Sequence, residues 1–262
     1  MSVALFSMAK MESKYVEEWA KYHLALGFDK IYLYDNEDKP TYAKILENYK
    51  NVIVIPFPGV AKKGGMQNIC IFHFSVNFLR KYKYVMHIDL DEFVCLKKHN
   101  NIKNFINHFF IDKSLAALSF NWVFFGSNGH NDYTPEPVTQ RFTKCQKDCD
   151  KHIKLLVRTQ YLKKYHGCHF IFSTEGTFTK DTNGKIIEGL FNEGGANDYC
   201  QINHYKVKSV NEFKRSLTRP RPDKTLYDPD RYRNSFDVEY PLYNKNEIEE
   251  LTVQKFYANL LE

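Results

Sequence analysis

Tyr84-Val85-Met86-His87-Ile88-Asp89-Leu90-Asp91-Glu92-Phe93 is the stretch on which the fold turns: an apolar run of strand type, Tyr84 to Ile88, ends directly in an acidic cluster. In open α/β sheets ligands bind beyond the carboxyl ends of the strands, so an Asp-x-Asp at this position stands at the edge of a site. Two carboxylates one residue apart can hold a divalent cation through oxygen ligands while leaving positions for phosphate oxygens and water. A sugar nucleotide needs that arrangement. The same letters also read as a capped turn with solvated acids, because Asp-x-Asp alone is a common pattern.

Upstream, strand and helix patterns alternate. Val3-Ala4-Leu5-Phe6 reads as a strand, and Tyr15, Trp19, Tyr22, His23 and Leu26 recur at helical spacing and stop at Gly27. Ile31 to Tyr34 is the next strand, followed by a helix over 41–49, the strand Val52 to Ile55 closed by Pro56, and a helix from Gln67 to Lys81. This order with short connections predicts a parallel sheet with right-handed crossovers. Downstream of Asp91 the pattern loosens. Leu115 to Phe125 reads as a buried strand, Val138 to Phe142 and Ile153 to Val157 as shorter ones, and Val210 to Leu217 and Glu247 to Leu260 as helices. No repeat or low-complexity linker marks a boundary. The expectation is one α/β domain over 1–262, with a nucleotide-binding half (1–95), an acceptor half that completes the metal site (96–220) and a C-terminal helical tail (221–262).

A net charge of +6 with 43% hydrophobic and 26% charged residues is ordinary for a soluble globular chain and excludes a disordered, collagen-like or disulfide-scaffold protein. The charge is too small and too interspersed for a nucleic-acid groove, and the longest basic runs, Lys62-Lys63 and Lys97-Lys98, read as solvated loops. No apolar run approaches the roughly 20 residues that span a bilayer, and the first apolar run is too short for a secretory signal, so a cytoplasmic location is expected. Six cysteines, at 70, 95, 145, 149, 168 and 200, lack framework spacing and read as thiols of a reducing compartment. Cys145, Cys149 and His152, with Cys168-His169, form an irregular set for zinc, and free thiols are the preferred reading. Aromatic residues make up 16% of the chain against only 12 Gly and 9 Pro, which points to long regular elements and an aromatic-rich core. Trp122, Phe125 and Tyr205 are the aromatics best placed for sugar contact.

Tyr34-Asp35-Asn36 closes the second strand, where an acidic residue can hydrogen-bond a nucleoside. No Gly-x-Gly-x-x-Gly follows the first strand and no P-loop pattern occurs, so a diphosphate would need a metal and basic side chains. Asn203-His204-Tyr205-Lys206-Val207-Lys208-Ser209 sets an imidazole and lysines before a helix. His204 can complete a metal site with Asp91, while Lys208, Arg215 and Arg219 can neutralise a departing phosphate. The segment also reads as a strand histidine followed by a basic helix face.

Taken in order, Glu17-Glu18-Trp19 with His23 and Gly27, Tyr34-Asp35-Asn36, Gln67-Asn68, Ile88 to Phe93, Phe125 to His130, and Asn203-His204-Tyr205 with Lys208-Ser209 and Phe213 resemble a glycosyltransferase of the family 2-like group and the related family 92, formerly a domain of unknown function. The resemblance runs from residue 10 to about residue 220. It implies a GT-A fold, a nucleotide-sugar donor of UDP type, Mn²⁺ or Mg²⁺, and inversion at the anomeric carbon. The transfer implied is of a hexosyl or deoxyhexosyl group to a hydroxyl of a glycan or glycoconjugate. Carried over, Asp35 and Gln67 hold the nucleoside with Lys10, Glu12 and Asn36 beside them. Asp89 takes the ribose or the metal, Asp91 the metal, His204 the metal or the diphosphate, and Lys208 the leaving group. The chain departs from the family pattern at Lys10-Met11-Glu12, where Lys-Asn-Glu is usual, and at Arg219-Pro220, where Arg-Gly is usual.

Inversion needs a base at the acceptor hydroxyl. Asp132, in the loop Gly126 to Tyr133, is the first candidate, with Glu175, Glu193 and His130 as alternatives; a plain turn residue is the other reading of Asp132. Two further functions fit the same letters: a non-catalytic carbohydrate-binding protein on this fold, and a nucleotidyl or phosphoryl transferase. Ile248, Leu251, Phe256 and Leu260 make the last helix able to pack internally or to pair with a second copy in a homodimer.

Overall fold

The computed structural model describes residues 1–60, 65–218 and 231–260. Its first part alternates β1 (Val3–Ala9), α1 (Val16–Ala25), β2 (Lys30–Asp35), α2 (Tyr42–Ile45), β3 (Val52–Pro56), α3 (Gly65–Asn77) and β4 (Tyr84–His87). There follow β5 (Glu92–Leu96), α4 (Ile102–Phe109), β6 (Leu115–Phe124), α5 (Val138–Arg141), β7 (Lys144–Cys145) and β8 (Ile153–Arg158). The chain continues through β9 (Leu162–His166), β10 (Phe170–Ser173), β11 (Phe178–Lys180), β12 (Cys200–His204), α6 (Val210–Ser216), α7 (Arg231–Tyr243), β13 (Ile248–Glu249) and α8 (Thr252–Ala258).

The main sheet runs β3-β2-β1-β4-β8-β6-β12-β5, with β11 added to β6. The β3-β2-β1-β4 block is parallel throughout, as the helix crossovers require. β8 enters antiparallel between β4 and β6 and turns the rest into a mixed sheet. This is an α/β architecture with a mixed central sheet whose first half is parallel, as expected from the sequence. Strand β1 is buried along almost its whole length because both faces are covered. Its alternate side chains serve two cores: Leu5 packs with Trp19 and Tyr22 of α1, while Phe6 packs with Phe74 of α3, ring on ring at 3.9 Å. Burying a side chain of that size contributes about 1.5–3 kcal/mol.

Strand β5 lies at the end of the sheet, and α1 covers its outer edge. Trp19 Nε1 donates to the Glu92 carbonyl at 2.9 Å, and the Tyr22 hydroxyl donates to the Val94 carbonyl at 2.6 Å. The Val94 N–H donates to His23 Nε2 at 3.2 Å. Burial pushes the His23 imidazole down to about 3, so it stays neutral and can accept at Nε2 while Nδ1 faces the Trp19 carbonyl. An edge that would otherwise recruit another chain is thereby closed, and the segment directly after Asp91 is fixed.

Several expectations are corrected. Val138–Arg141 forms the helix α5 and not a strand, with Phe142 extended after it, because Pro137 precedes it and the Glu18 carboxylate accepts from the N–H groups of Val138 and Thr139 at 2.8 and 2.9 Å. A five-residue segment with apolar residues only at its ends, Val138 and Phe142, does not distinguish the two periods. The last helix begins at Thr252 and not at Glu247, since Ile248–Glu249 pairs with β7 and the Glu250 carboxylate takes the Thr252 N–H. Only Tyr42–Ile45 of 41–49 is α-helical, and α3 stops at Asn77, ahead of a 3₁₀ turn at Leu79–Lys81. The expected long elements are absent from the described strands: β6 alone exceeds seven residues. Polar residues serve the turns that Gly and Pro do not. No helix among the described residues is long and apolar enough to cross a membrane.

Candidate functional site

The acidic cluster lies where β4 ends, and three elements converge on it. Asp89 Oδ1 accepts from Gln67 Nε2 on α3 at 2.8 Å, and Oδ2 faces the Lys154 ammonium on β8 at 2.8 Å. Lys154 is fully buried and also lies 3.4 Å from Glu92, itself fully buried. The β4–β8 register puts it there, because Leu156 stands opposite Met86 and Lys154 is two residues further along the antiparallel strand. Burial alone would raise the Asp89 carboxyl, yet the Lys154 ammonium holds it below its usual range. Burial pushes Glu92 well up, with Lys154 opposing. The Asp89 side chain keeps 34% of its surface open and lines a cavity of about 1900 Å³.

Asp91 and His204 are 113 positions apart in the chain and meet through the β5–β12 ladder. His204 stands opposite Glu92, and the Tyr205 N–H continues the pairing to the Asp91 carbonyl at 2.8 Å. His204 Nε2 then lies 3.5 Å from Asp91 Oδ2. Burial drives the imidazole towards its neutral form against the pull of Asp91, and its Nδ1 has no hydrogen-bond partner among the described residues. Trp122 of β6 packs on the ring with centroids 4.5 Å apart and stacks on His152 at 4.7 Å. His204 is thus a buried imidazole packed by Trp122 and biased towards the neutral form, the form in which histidine ligates metals.

Among the described residues no group of three or more His, Cys, Asp or Glu side chains is arranged to hold a metal ion. The expected set of Asp89, Asp91 and His204 divides accordingly. Two donors about 2.1 Å from one cation and roughly 90–110° apart sit about 3.0–3.5 Å from each other. The Asp91–His204 pair fits that spacing, while the Asp89 oxygens are held by Gln67 Nε2 and the Lys154 ammonium. None of the six cysteines is in a disulfide.

Of the other expected residues, Lys10, Glu12, Asn36 and Gln67 line the cavity. Lys10 pairs with Asp38 at 2.7 Å, and Asn36 donates to the carbonyls of Phe57 and Gly59. Asp35 does not line the cavity: it is fully buried, and its carboxylate accepts from the N–H groups of Glu37, Thr41 and Tyr42, which makes it the anchor of that loop. Lys208, at φ +53°, reaches Glu12 at 3.0 Å and lies over the Tyr15 ring at 4.0 Å. With Arg215 it lines a small side pocket that shares Glu12, Asp91 and Lys206 with the main cavity. Arg219, Lys62 and Lys63 lie outside the described residues.

Asp132 is not at the cavity. It is exposed on its loop and accepts from Asn211 at 2.7 Å, because that loop folds towards α6. Glu175, Glu193 and His130 are also absent from the cavity wall. Phe125 and Tyr205, expected as sugar-contacting rings, are core residues at 1% exposure. The loop itself is tied to the end of the chain: the Ser127 N–H donates to Asn244 Oδ1 at 2.7 Å, and a Cβ at Gly126 would lie 2.4 Å from the Lys245 carbonyl.

Two wall or buried residues went unread in the sequence, Lys154 and Glu239, and Lys206 was quoted only as part of its motif. Lys206 lines the cavity with its ammonium 3.5 Å from the centre of the Tyr243 ring. Glu239 comes from α7, half-buried, and is the one cavity carboxylate among the described residues besides Glu12, Asp89 and Asp91.

The family model of glycosyltransferase family 92 matches residues 3–233. Similar curated proteins include a glycosyltransferase family 92 protein of Oryza sativa subsp. japonica, 22% identical over 219 residues, covering 81% of this chain and 34% of the relative. Another, of Ricinus communis, is 23% identical over 227 residues, covering 79% and 35%. The chain spans about a third of the length of these relatives. Among solved structures it is similar to the 1–349 segment of S. aureus TarS, at 12% identity and a TM-score of 0.39, covering 100% of this chain and 71% of that one. HddC from Yersinia pseudotuberculosis follows at 11% and 0.36, covering 69% and 91%.

Proposed function

The chain belongs to glycosyltransferase family 92, and from that premise we propose that its cavity transfers a sugar from a nucleotide-sugar, of UDP type, to a hydroxyl of a glycan or glycoconjugate with inversion. The observation that carries this reading is the meeting of Asp91 and His204 on the wall of the large cavity, beside a carboxylate held by a buried ammonium. In this proposal Asp91 and His204 hold the divalent cation, Mn²⁺ or Mg²⁺. A cation held by these two residues would supply positive charge to the departing diphosphate.

The remaining roles fall to side chains of this chain. Asp89, fixed by Gln67 and Lys154, accepts from the ribose hydroxyls with the part of its carboxylate that is open to the cavity. Lys206 faces the same space as Asp91 and, with Lys208 and Arg215 in the adjoining pocket, opposes the charge that develops as the glycosidic bond breaks. Glu239 replaces Asp132 as the candidate base. Glu239 lines the cavity from α7, an element separate from the strand end that carries Asp89 and Asp91.

Product analysis with a panel of nucleotide-sugars and Mn²⁺ tests the proposal. A nucleoside diphosphate released together with a glycosylated acceptor supports it. Pyrophosphate or a phosphorylated product assigns the site to nucleotidyl or phosphoryl transfer, and glycan binding without donor turnover assigns it to a carbohydrate-binding protein.

A further inference from the structure

Helix α3 contains no Asp, Glu, Lys or Arg, yet one side of it lies at the surface. Cys70, Ile71 and Phe74 face the core, while Ile69, Phe72 and Val76 recur at helical spacing on the opposite side with 42%, 68% and 67% of their surface exposed. A helix that is apolar on both faces is not explained by packing on one core. The hairpin β9–β10 repeats the pattern: Tyr165 and Ile171 stand opposite each other and pack inward, while Phe172 is 49% exposed opposite Lys164.

The charges carried by these two segments themselves have one sign, although Glu12, Asp89, Asp91 and Glu239 line the cavity beside them. Residues 65–88 and 151–174 contain no Asp or Glu. Arg80, Lys81, Lys83, Lys163 and Lys164 are all exposed. None of Arg80, Lys163 and Lys164 is paired with a carboxylate among the described residues. Phe72, Val76, Arg80, Lys163 and Lys164 line the same cavity, so the apolar stripe and the cations border one opening. Exposed aromatic and aliphatic side chains flanked by lysine and arginine match the chemistry of an anionic bilayer, with acyl chains below and phosphates above. A soluble anion would not require the stripe, and the core of a protein interface is depleted in charge.

We infer that the face formed by α3 and the β9–β10 hairpin docks on an anionic lipid bilayer and turns the cavity mouth towards the membrane plane. This docking is peripheral and does not depend on the transfer reaction.

Cosedimentation of the full chain with phosphatidylcholine vesicles, with and without phosphatidylglycerol, tests the inference. The wild type sediments with the anionic vesicles and is released by salt. Lys163→Gln with Lys164→Gln lowers the partition coefficient about 25-fold, as expected for two surface cations. Phe72→Ser with Val76→Ser also removes binding while the melting temperature stays near that of the wild type, because both side chains are exposed. No sedimentation with anionic vesicles, equal sedimentation with neutral ones, or unchanged binding by either variant overturns it. So does a wild-type dimer in solution that Phe72→Ser with Val76→Ser dissociates, since the stripe would then belong to a second copy.

Discussion

Replacing Lys154 by Met removes the one ammonium 2.8 Å from Asp89 and 3.4 Å from Glu92 while keeping most of the buried stem volume. Breaking a buried pair by deleting one partner costs about 3–5 kcal/mol. Asp89 retains about a third of its surface, so the lower end applies: about 3 kcal/mol, or about 6 °C in melting temperature for a chain of this size. The pH dependence carries the sharper test. In the wild type the folded-state pKa of Asp89 is depressed, so its contribution is present above the unfolded pKa and lost as pH falls through the folded value. Without the ammonium, burial and the neighbouring Asp91 raise Asp89, and Glu92 rises further. Both then favour the folded state only when protonated, so their penalty shrinks on acidification. Thermal unfolding followed by circular dichroism should therefore show a deficit for Lys154→Met that is largest near pH 7.5 and smaller at pH 5. Asp89→Asn added to Lys154→Met should recover part of it. A deficit under about 2 °C at pH 7.5, or one that does not shrink at pH 5, would refute the role given to Lys154.

Glu239→Gln should lower kcat by about 10²–10⁴-fold, the span of general base catalysis, with donor affinity unchanged; wild-type turnover would remove Glu239 from the mechanism. Gly126→Ala places a methyl group 2.4 Å from the Lys245 carbonyl and should cost about 1–3 kcal/mol, read as a melting temperature lower by several degrees; no change would mean that the loop and chain end do not close as described. Burial pushes the thiols of Cys145 and Cys149 up to about 12 and about 11, so a disulfide reagent at pH 7.5 should modify the folded protein slowly and the unfolded protein fast, and a rapid reaction at either cysteine contradicts that burial.

The parallel half was legible because each strand there is a short apolar run between helical patterns, and a sheet covered on both faces admits little else. The Asp89 to Asp91 position was legible for the same reason, as the end of one such strand. Lys154 carried a signal that went unused: a lysine inside the apolar run Ile153 to Arg158 is out of pattern for a buried strand and must bring a carboxylate with it. Glu239 carried none, since a glutamate in a polar helix is the ordinary surface residue. Asp132 was misplaced because the direction of its loop is decided by contacts with Asn211 and Asn244, 79 and 117 positions away, which no local pattern records.

Calorimetric titration of UDP into the wild type and into Asp91→Asn, each with and without Mn²⁺, tests the central claim most directly. The pairing of Asp91 with His204 predicts binding by the wild type that requires Mn²⁺ and weakens by about tenfold or more in Asp91→Asn. Binding that is indifferent to the metal, or equal in the two proteins, would contradict it.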